Sequence, residues 1–276
     1  MSDPECTAFL QWALPLRGMR WAGFRKVRRQ VCKRLKRRIE ELGLADFAAY
    51  RRRLASDPPE WSIFDDCCHI TISRFYRDRG VFEALRHRVL LDIAARAKAE
   101  GRDARAWSAG CASGEEPYTL RILWDLEVAV RHPGVPLAIT ATDVDRTMLE
   151  RARKGCYGKT SLRELPAQFL AQAFDAAGPQ FCIKPRHRGI EFLEQDLRSQ
   201  APADRFDLIL CRYLAFTYFA PALQQQVLAR FLERLRPGGY LVIGTHEDLP
   251  AEVGLVALDR APQIFQQSAD EASRLS

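Results

Sequence analysis

The stretch from Ala104 to Leu120 (Ala-Arg-Ala-Trp-Ser-Ala-Gly-Cys-Ala-Ser-Gly-Glu-Glu-Pro-Tyr-Thr-Leu) constrains the fold of this chain more than any other. Its small and apolar opening suits a buried strand, which breaks at Gly110. Gly114 follows, and Glu115, Glu116 and Pro117 then open a helix, because proline and acidic residues both favour a first helical turn. Strand, glycine turn and helix is the device by which α/β proteins raise backbone amides against a nucleotide-like ligand. The spacing matches neither the dinucleotide fingerprint nor the P-loop, and two glutamates would repel a phosphate. A ligand with a cationic, zwitterionic end and no phosphate fits better, and S-adenosylmethionine is such a ligand.

The chain of 276 residues is long enough for one α/β domain and a small accessory domain. No apolar run approaches the roughly 20 residues a membrane helix needs, and no secretory signal is read, so a cytoplasmic protein without membrane insertion is expected. The cysteines (Cys6, Cys32, Cys67, Cys68, Cys111, Cys156, Cys182 and Cys211) are scattered, with no C-x-x-C pair and no clustering with histidine. Reduced, buried thiols and no metal centre are the expectation.

Charge is placed unevenly. Residues 17–38 hold eleven Lys/Arg and no acid against +7 for the whole chain, so the rest carries a net −4. Trp21, Phe24, Val27, Val31, Leu35, Ile39 and Leu42 recur at three or four residues, the spacing of one helix face. The other faces carry the cations. They read either as a solvated face or as a docking surface for an acidic partner. No nucleic-acid motif or aromatic-interleaved sheet accompanies them, which favours protein over nucleic acid.

Residues 1–16 read as a lead-in, 17–97 as a helical domain carrying the basic helix 20–38, 98–103 as a polar linker and 104–276 as an α/β domain. Helices are expected over Ala45–Leu54, Glu60–Cys68 and Val81–Ala97. Strands over Ala104–Ala109, Leu137–Thr142, Ile190–Leu193, Phe206–Cys211 and Tyr240–Gly244 alternate with helices Pro117–Val130, Arg146–Lys154, Leu165–Ala173 and Ala222–Arg236, as in βαβ units. A closing hairpin is expected from Gly254–Asp259 and Gln263–Gln267. Chemistry-bearing residues fall at the carboxyl ends of the strands, where open α/β sheets bind ligands. Asp143 can accept from a ribose diol, or it can cap the helix near Arg146, a role Asp145 fits better. Asp196 suits an adenine amino group or a plain turn. Cys211-Arg212-Tyr213 follows the fourth strand, with Tyr218-Phe219 shortly after.

Taken together, Trp107-Ser-Ala-Gly-Cys-Ala-Ser-Gly-Glu-Glu-Pro-Tyr, Ala141-Thr-Asp-Val-Asp, Ser161-Leu-Arg-Glu-Leu, Phe206-Asp-Leu-Ile-Leu-Cys-Arg, Tyr218-Phe219, Arg236-Pro-Gly-Gly-Tyr-Leu and the Arg-Phe-Tyr-Arg that ends at Arg77 resemble the CheR family. These are methyltransferases that esterify glutamates on bacterial chemotaxis receptors. The resemblance spans about residues 20 to 267 and implies a Rossmann-like class I methyltransferase sheet with a small all-helical N-terminal domain. It also implies S-adenosylmethionine as cofactor, with S-adenosylhomocysteine as product. By the same resemblance, Glu116 in the turn after Gly110 holds the cofactor's amino group, Asp143 its ribose, and Asp196 with Leu197 its adenine. Thr71 and Ser73 contact the cofactor, Arg77 sits near the carboxylate end of cofactor or substrate, and Tyr218 lines the transfer site.

Several positions depart from the family pattern. Cys-Arg-Asn is Cys211-Arg212-Tyr213 here, so an amide facing cofactor or substrate is lost. The segment from Leu214 to Phe219 is one residue longer, and Gly-His-Ser/Asn-Glu is Gly244-Thr-His-Glu247. Thr71 and Ser73 replace Asn and Thr, and Asp196 replaces Asn. The first reading is therefore a protein-glutamate O-methyltransferase acting on chemoreceptor cytoplasmic helices through the basic helix. The second is a relative re-purposed for a small molecule or another protein, and the third a non-catalytic S-adenosylmethionine sensor. A glutamate acceptor is already ionised at neutral pH, so no general base is needed and none is evident.

Overall fold

The computed structural model describes residues 2–250 and 254–268. Its contacts divide the chain into two units. One comprises residues up to Ile72 together with Thr217–Gln224, and the other Ser73–Phe216 and the residues from Gln225 onward.

The first unit is helical. Asp3–Leu16 is itself a helix, with a capping box at Ser2 and Glu5 and with Phe9, Leu10 and Leu14 buried. Helices Trp21–Phe24, Arg28–Glu41, Phe47–Ser56 and Glu60–Cys68 follow. The single helix expected from Trp21 to Leu42 is broken after Phe24. Gly23 lies so close to the chain downstream that a Cβ there would stand 2.2 Å from the Thr217 carbonyl oxygen, and Arg20 N–H donates to Tyr218 O. The close approach holds the short helix, and the longer one begins only at Arg28.

The cations of 17–38 are not one uncompensated stripe. Arg38 makes a forked pair with Glu60, which is 3 % exposed and also accepts from Tyr50 Oη. The Arg38 hydrogen bonds hold the Glu60 carboxyl below its ordinary range, while burial pushes the Tyr50 phenol up. Arg17 forks onto Asp65, and Arg34 donates to the carbonyls of Cys67 and His69. These three arginines hold the bundle together. Arg25, Lys26, Arg29, Lys33 and Arg37 remain on the exposed side.

The second unit is built on a seven-stranded sheet. Its strands come from β1 Ala104–Ala109, β2 Leu137–Asp143, β3 Cys156–Gly158, β4 Phe174–Ala177, β5 Gln180–Ile183, β6 Ile190–Glu194, β7 Phe206–Leu210, β8 Leu235–Val242, β9 Leu255–Leu258 and β10 Ala261–Gln267. The order is β6-β2-β1-β7-β8-β10-β9; β6 through β8 run parallel and β10 is antiparallel to both neighbours. The central strand β7 is buried at every position, as a strand covered on both faces requires, whereas the edge strand β6 exposes Glu191 and Glu194. The helical stretch 79–99 belongs here and not with the N-terminal helices. Val81, Phe82, Leu85, Val89, Leu90 and Ile93 share one core with β1, β2, β7 and β8. The boundary between the units thus differs from the polar linker at 98–103, because the buried face of this stretch, not its charge, decides where it packs.

β3, β5 and β4 form a second, antiparallel sheet that the expected helices did not anticipate. Its strands are three or four residues long, and β4 turns into β5 through Gly178-Pro179. Cys156 lies opposite Cys182 in its register, and the two are disulfide-bonded. Cys6 and Cys32 are likewise bonded. The expectation of reduced thiols is corrected for these four, and Cys67, Cys68, Cys111 and Cys211 are free and buried. Among the described residues no helix is long and apolar enough to cross a membrane.

Candidate active site

Strand order reverses at β1, with β2 and β6 to one side and β7 and β8 to the other, so the crevice of this sheet lies beyond the carboxyl ends of β1 and β7. The turn after β1 is built to fill that place. Gly110 has φ +80° and Gly114 φ +89°, and a Cβ at Gly114 would meet Ala152 Cβ at 2.9 Å. Between them Ala112 takes φ +50°, at a cost of about 1–2 kcal/mol for a residue with a side chain. Its N–H donates to Asp143 Oδ2 at 2.8 Å, so the carboxylate ending β2 holds the turn that follows β1.

Asp143 Oδ1 also accepts from Asp145 N at 2.9 Å. The helix cap is Asp145, whose side chain accepts from Met148 N, so the cap is not Asp143. Beyond these two backbone donors to Asp143, a carboxylate has lone pairs for further donors. Glu116, in the first turn of the helix Glu115–Leu123, accepts from Ser108 Oγ at 2.7 Å and from Arg212 Nη1 at 3.1 Å.

Arg212 is the centre of the charged cluster. Its side chain is 3 % exposed; besides Glu116 it donates through Nη2 to Asp78 Oδ2 at 2.6 Å and to the Arg77 carbonyl at 2.7 Å. Arg77 stands between two residues in the left-handed region, Tyr76 at φ 60° and Asp78 at φ 62°. Strain of this kind persists where the surroundings over-determine it, and such sites cluster at functional places. The Arg77 guanidinium lies 3.8 Å from the centre of the Tyr213 ring, and burial pulls its pKa down. Tyr213 N–H donates to Glu247 Oε2, which also accepts from Gly244 N.

The remaining expected residues are distributed as follows. Leu197 is buried, and Asp196 turns back to accept from Arg198 N and pairs with its guanidinium. Beside it, Gln195 Oε1 is buried with no hydrogen-bond partner among the described residues, as is Arg212 Nε at the end of β7. Ser73 is half-buried in the same unit; Thr71 and Tyr218 belong to the first unit, where the Tyr218 ring packs 4.9 Å from that of Phe24. Ser108 and Asp78 were given no role from sequence, and Thr245 and Glu247 only a place in a segment that departs from the family pattern.

This edge offers two carboxylates, two arginines, and an orphaned acceptor beside the Asp196-Leu197 turn. S-adenosylmethionine presents a cationic amino group, a diol, an amino-purine and a carboxylate, so the donor set fits. A doubly wound sheet of this order with an acidic glycine turn at its switch point defines an S-adenosylmethionine-dependent methyltransferase. The family model for the CheR methyltransferase, SAM binding domain, matches residues 71–261, and the chain belongs to the CheR family. It is 34 % identical over 216 residues to a chemotaxis protein methyltransferase of Listeria monocytogenes, covering 77 % of this chain and 79 % of that protein. It is also 36 % identical over 222 residues to an uncharacterized 104.1 kDa protein of Rhodobacter capsulatus, covering 79 % of this chain but 23 % of that longer protein. Among solved structures, the N-methyltransferase NodS of Bradyrhizobium japonicum aligns over 70 % of this chain and 99 % of its own at 16 % identity and a TM-score of 0.38.

Proposed function

We propose that this methyltransferase esterifies glutamate side chains of chemotaxis receptors. The observation that carries the reading is the pair of arginines, Arg77 and Arg212, at an edge where the bordering thiols of Cys111 and Cys211 are held protonated by burial. A carboxylate acceptor needs a cation to orient it and no base to activate it. When bound, the cofactor would supply a sulfonium methyl that an acceptor carboxylate oxygen could take in line, the new C–O ester bond forming as the methyl–sulfur bond breaks and the thioether leaves. In this scheme Glu116 holds the amino group, Asp143 the diol, and the Asp196-Leu197 turn the purine. Arg77 turns the acceptor carboxylate into line, and orientation of that kind supplies several kcal/mol of the barrier. The name of the Listeria relative, a chemotaxis protein methyltransferase, supports an acceptor within chemotaxis.

The test is transfer of labelled methyl from S-adenosylmethionine to receptor cytoplasmic fragments and to whole lysate, followed by base. Label on receptor released as volatile methanol supports a carboxyl ester. Base-stable label, or label only on small molecules, overturns the reading in favour of a re-purposed relative.

The exposed line Arg29, Lys33 and Arg37, spaced four residues apart on the helix Arg28–Glu41, is the proposed docking face for acidic receptor helices. Reversing all three to Glu should raise KM for receptor about tenfold and leave cofactor affinity unchanged, because rim charges act on encounter. The wild-type KM should rise with salt and that of the triple variant should not. Arg34 and Arg38 are unsuitable for this test, since their reversal would break the bundle. Unchanged kinetics in the triple variant would remove the docking role.

A further inference from the structure

Two departures from the family pattern lie far apart in sequence and touch in the fold. Tyr213 stands where the pattern has Asn, and Thr245 where it has His; the Tyr213 hydroxyl and Thr245 Oγ1 are 2.7 Å apart. We propose that Tyr213 and Thr245 form one device, a rest on which the Arg77 guanidinium lies, making Tyr213 the positioning residue for the cation that meets the acceptor carboxylate.

Tyr213 has φ +58°, a backbone conformation that asparagine tolerates and an aromatic residue rarely adopts. A position that requires this conformation explains the pattern's Asn, and tyrosine is held here against its own preference. Its N–H and its hydroxyl are both engaged to do so. Its N–H donates to Glu247 at 2.8 Å. Its hydroxyl donates to the Asp78 carboxylate, which can only accept, so Thr245 Oγ1 is the donor of the second bond and Thr245 N adds a third at 3.2 Å. Burial and the Asp78 hydrogen bond push the phenol pKa up, keeping it a donor.

The ring is thereby fixed edge and face. On one side a Cβ at residue 244 would stand 2.8 Å from ring atoms Cδ1 and Cε1, so only glycine leaves room there. Against the ring lies the Arg77 guanidinium at 3.8 Å, within the range of cation–π attraction. An asparagine at 213 would offer no such face. A histidine at 245 would bring a ring of its own in place of the threonine hydroxyl, so each departure makes room for the other.

The inference rests on the proposed role of Arg77 toward a carboxylate, and the experiment separates the two. Five variants are compared with wild type: Tyr213→Phe, Tyr213→Asn, Arg77→Met, Tyr213→Asn with Arg77→Met, and Tyr213→Asn with Thr245→His. Methyl-ester formation gives kcat and KM, and NMR of arginine-labelled protein without acceptor gives the ring-current shift of the Arg77 side-chain protons. Tyr213→Phe keeps the face and should keep the shift, with kcat/KM within about threefold of wild type. Tyr213→Asn should abolish the shift and lower kcat/KM about tenfold, the size of a partly desolvated cation–π contact. Its Tm should not fall, since asparagine relieves the backbone, and adding Thr245→His should recover activity. In the Arg77→Met background, Tyr213→Asn should cost nothing further. A retained shift in Tyr213→Asn, or an equal loss in both Arg77 backgrounds, would overturn the device. A wild type that shows the shift but methylates no carboxyl acceptor would leave the device standing and overturn the proposed acceptor.

Discussion

Replacing Arg212 with methionine is expected to destabilise the protein by about 3 kcal/mol and to abolish methyl transfer, the combination diagnostic of a buried cation that both folds and functions. Methionine matches much of the volume, so the effect is one of charge. The guanidinium is 3 % exposed and sits between Glu116 and Asp78, whose side chains are 14 % and 22 % exposed. Removing it leaves two carboxylates in a half-dry crevice facing each other and strips the Arg77 carbonyl of its donor. Leaving a buried partner uncompensated costs about 3–5 kcal/mol, and the lower end applies because both carboxylates retain some water. Arg212→Lys should recover part of the stability but little activity, since one ammonium cannot span three acceptors as a planar fork does. Chemical denaturation and S-adenosylhomocysteine titration of the two variants check both halves. A stable, inactive Arg212→Met would assign the residue to chemistry alone, and a stable, active one would remove it from the site.

The elements most legible in the sequence were those whose stability is local. β1 spans Ala104–Ala109, and the helices Arg146–Lys154 and Glu60–Cys68 have the ends that their caps and periodicity predict. Asp145 was readable as a cap because an N-cap needs only its own helix. What the sequence concealed was set by contacts across long separations. The break after Phe24 answers to the Thr217 carbonyl, and the small sheet to a register between β3 and β5. Arg38 looked like a free cation because Glu60, its partner, lies on another helix. The site shows the same division. Glu116 opens the helix after the glycine turn and Asp143 ends β2, and each could be picked out one at a time. Asp78 and Thr245 acquire their meaning only through Tyr213, and nothing local to either signals that.

Asp143→Ala should weaken S-adenosylhomocysteine binding by at least a hundredfold, the largest affinity loss expected at this edge. Two effects add. The carboxylate is the proposed acceptor for the ribose diol, and hydrogen bonds to a charged group contribute about 1.5–3 kcal/mol each, so losing two reaches that figure. The same carboxylate receives the N–H of Ala112 and of Asp145, so alanine also releases the turn between Gly110 and Gly114 that shapes the crevice. Asp143→Asn distinguishes the two effects. Its side-chain oxygen can still take one backbone donor, but its amide has no charge and presents donors where the diol needs an acceptor. The asparagine variant should therefore keep a near-native Tm while binding about tenfold to a hundredfold more weakly, and alanine should lose both. If asparagine binds as wild type does, Asp143 serves only to hold the turn, and the ribose must be recognised elsewhere along the carboxyl edge of β2.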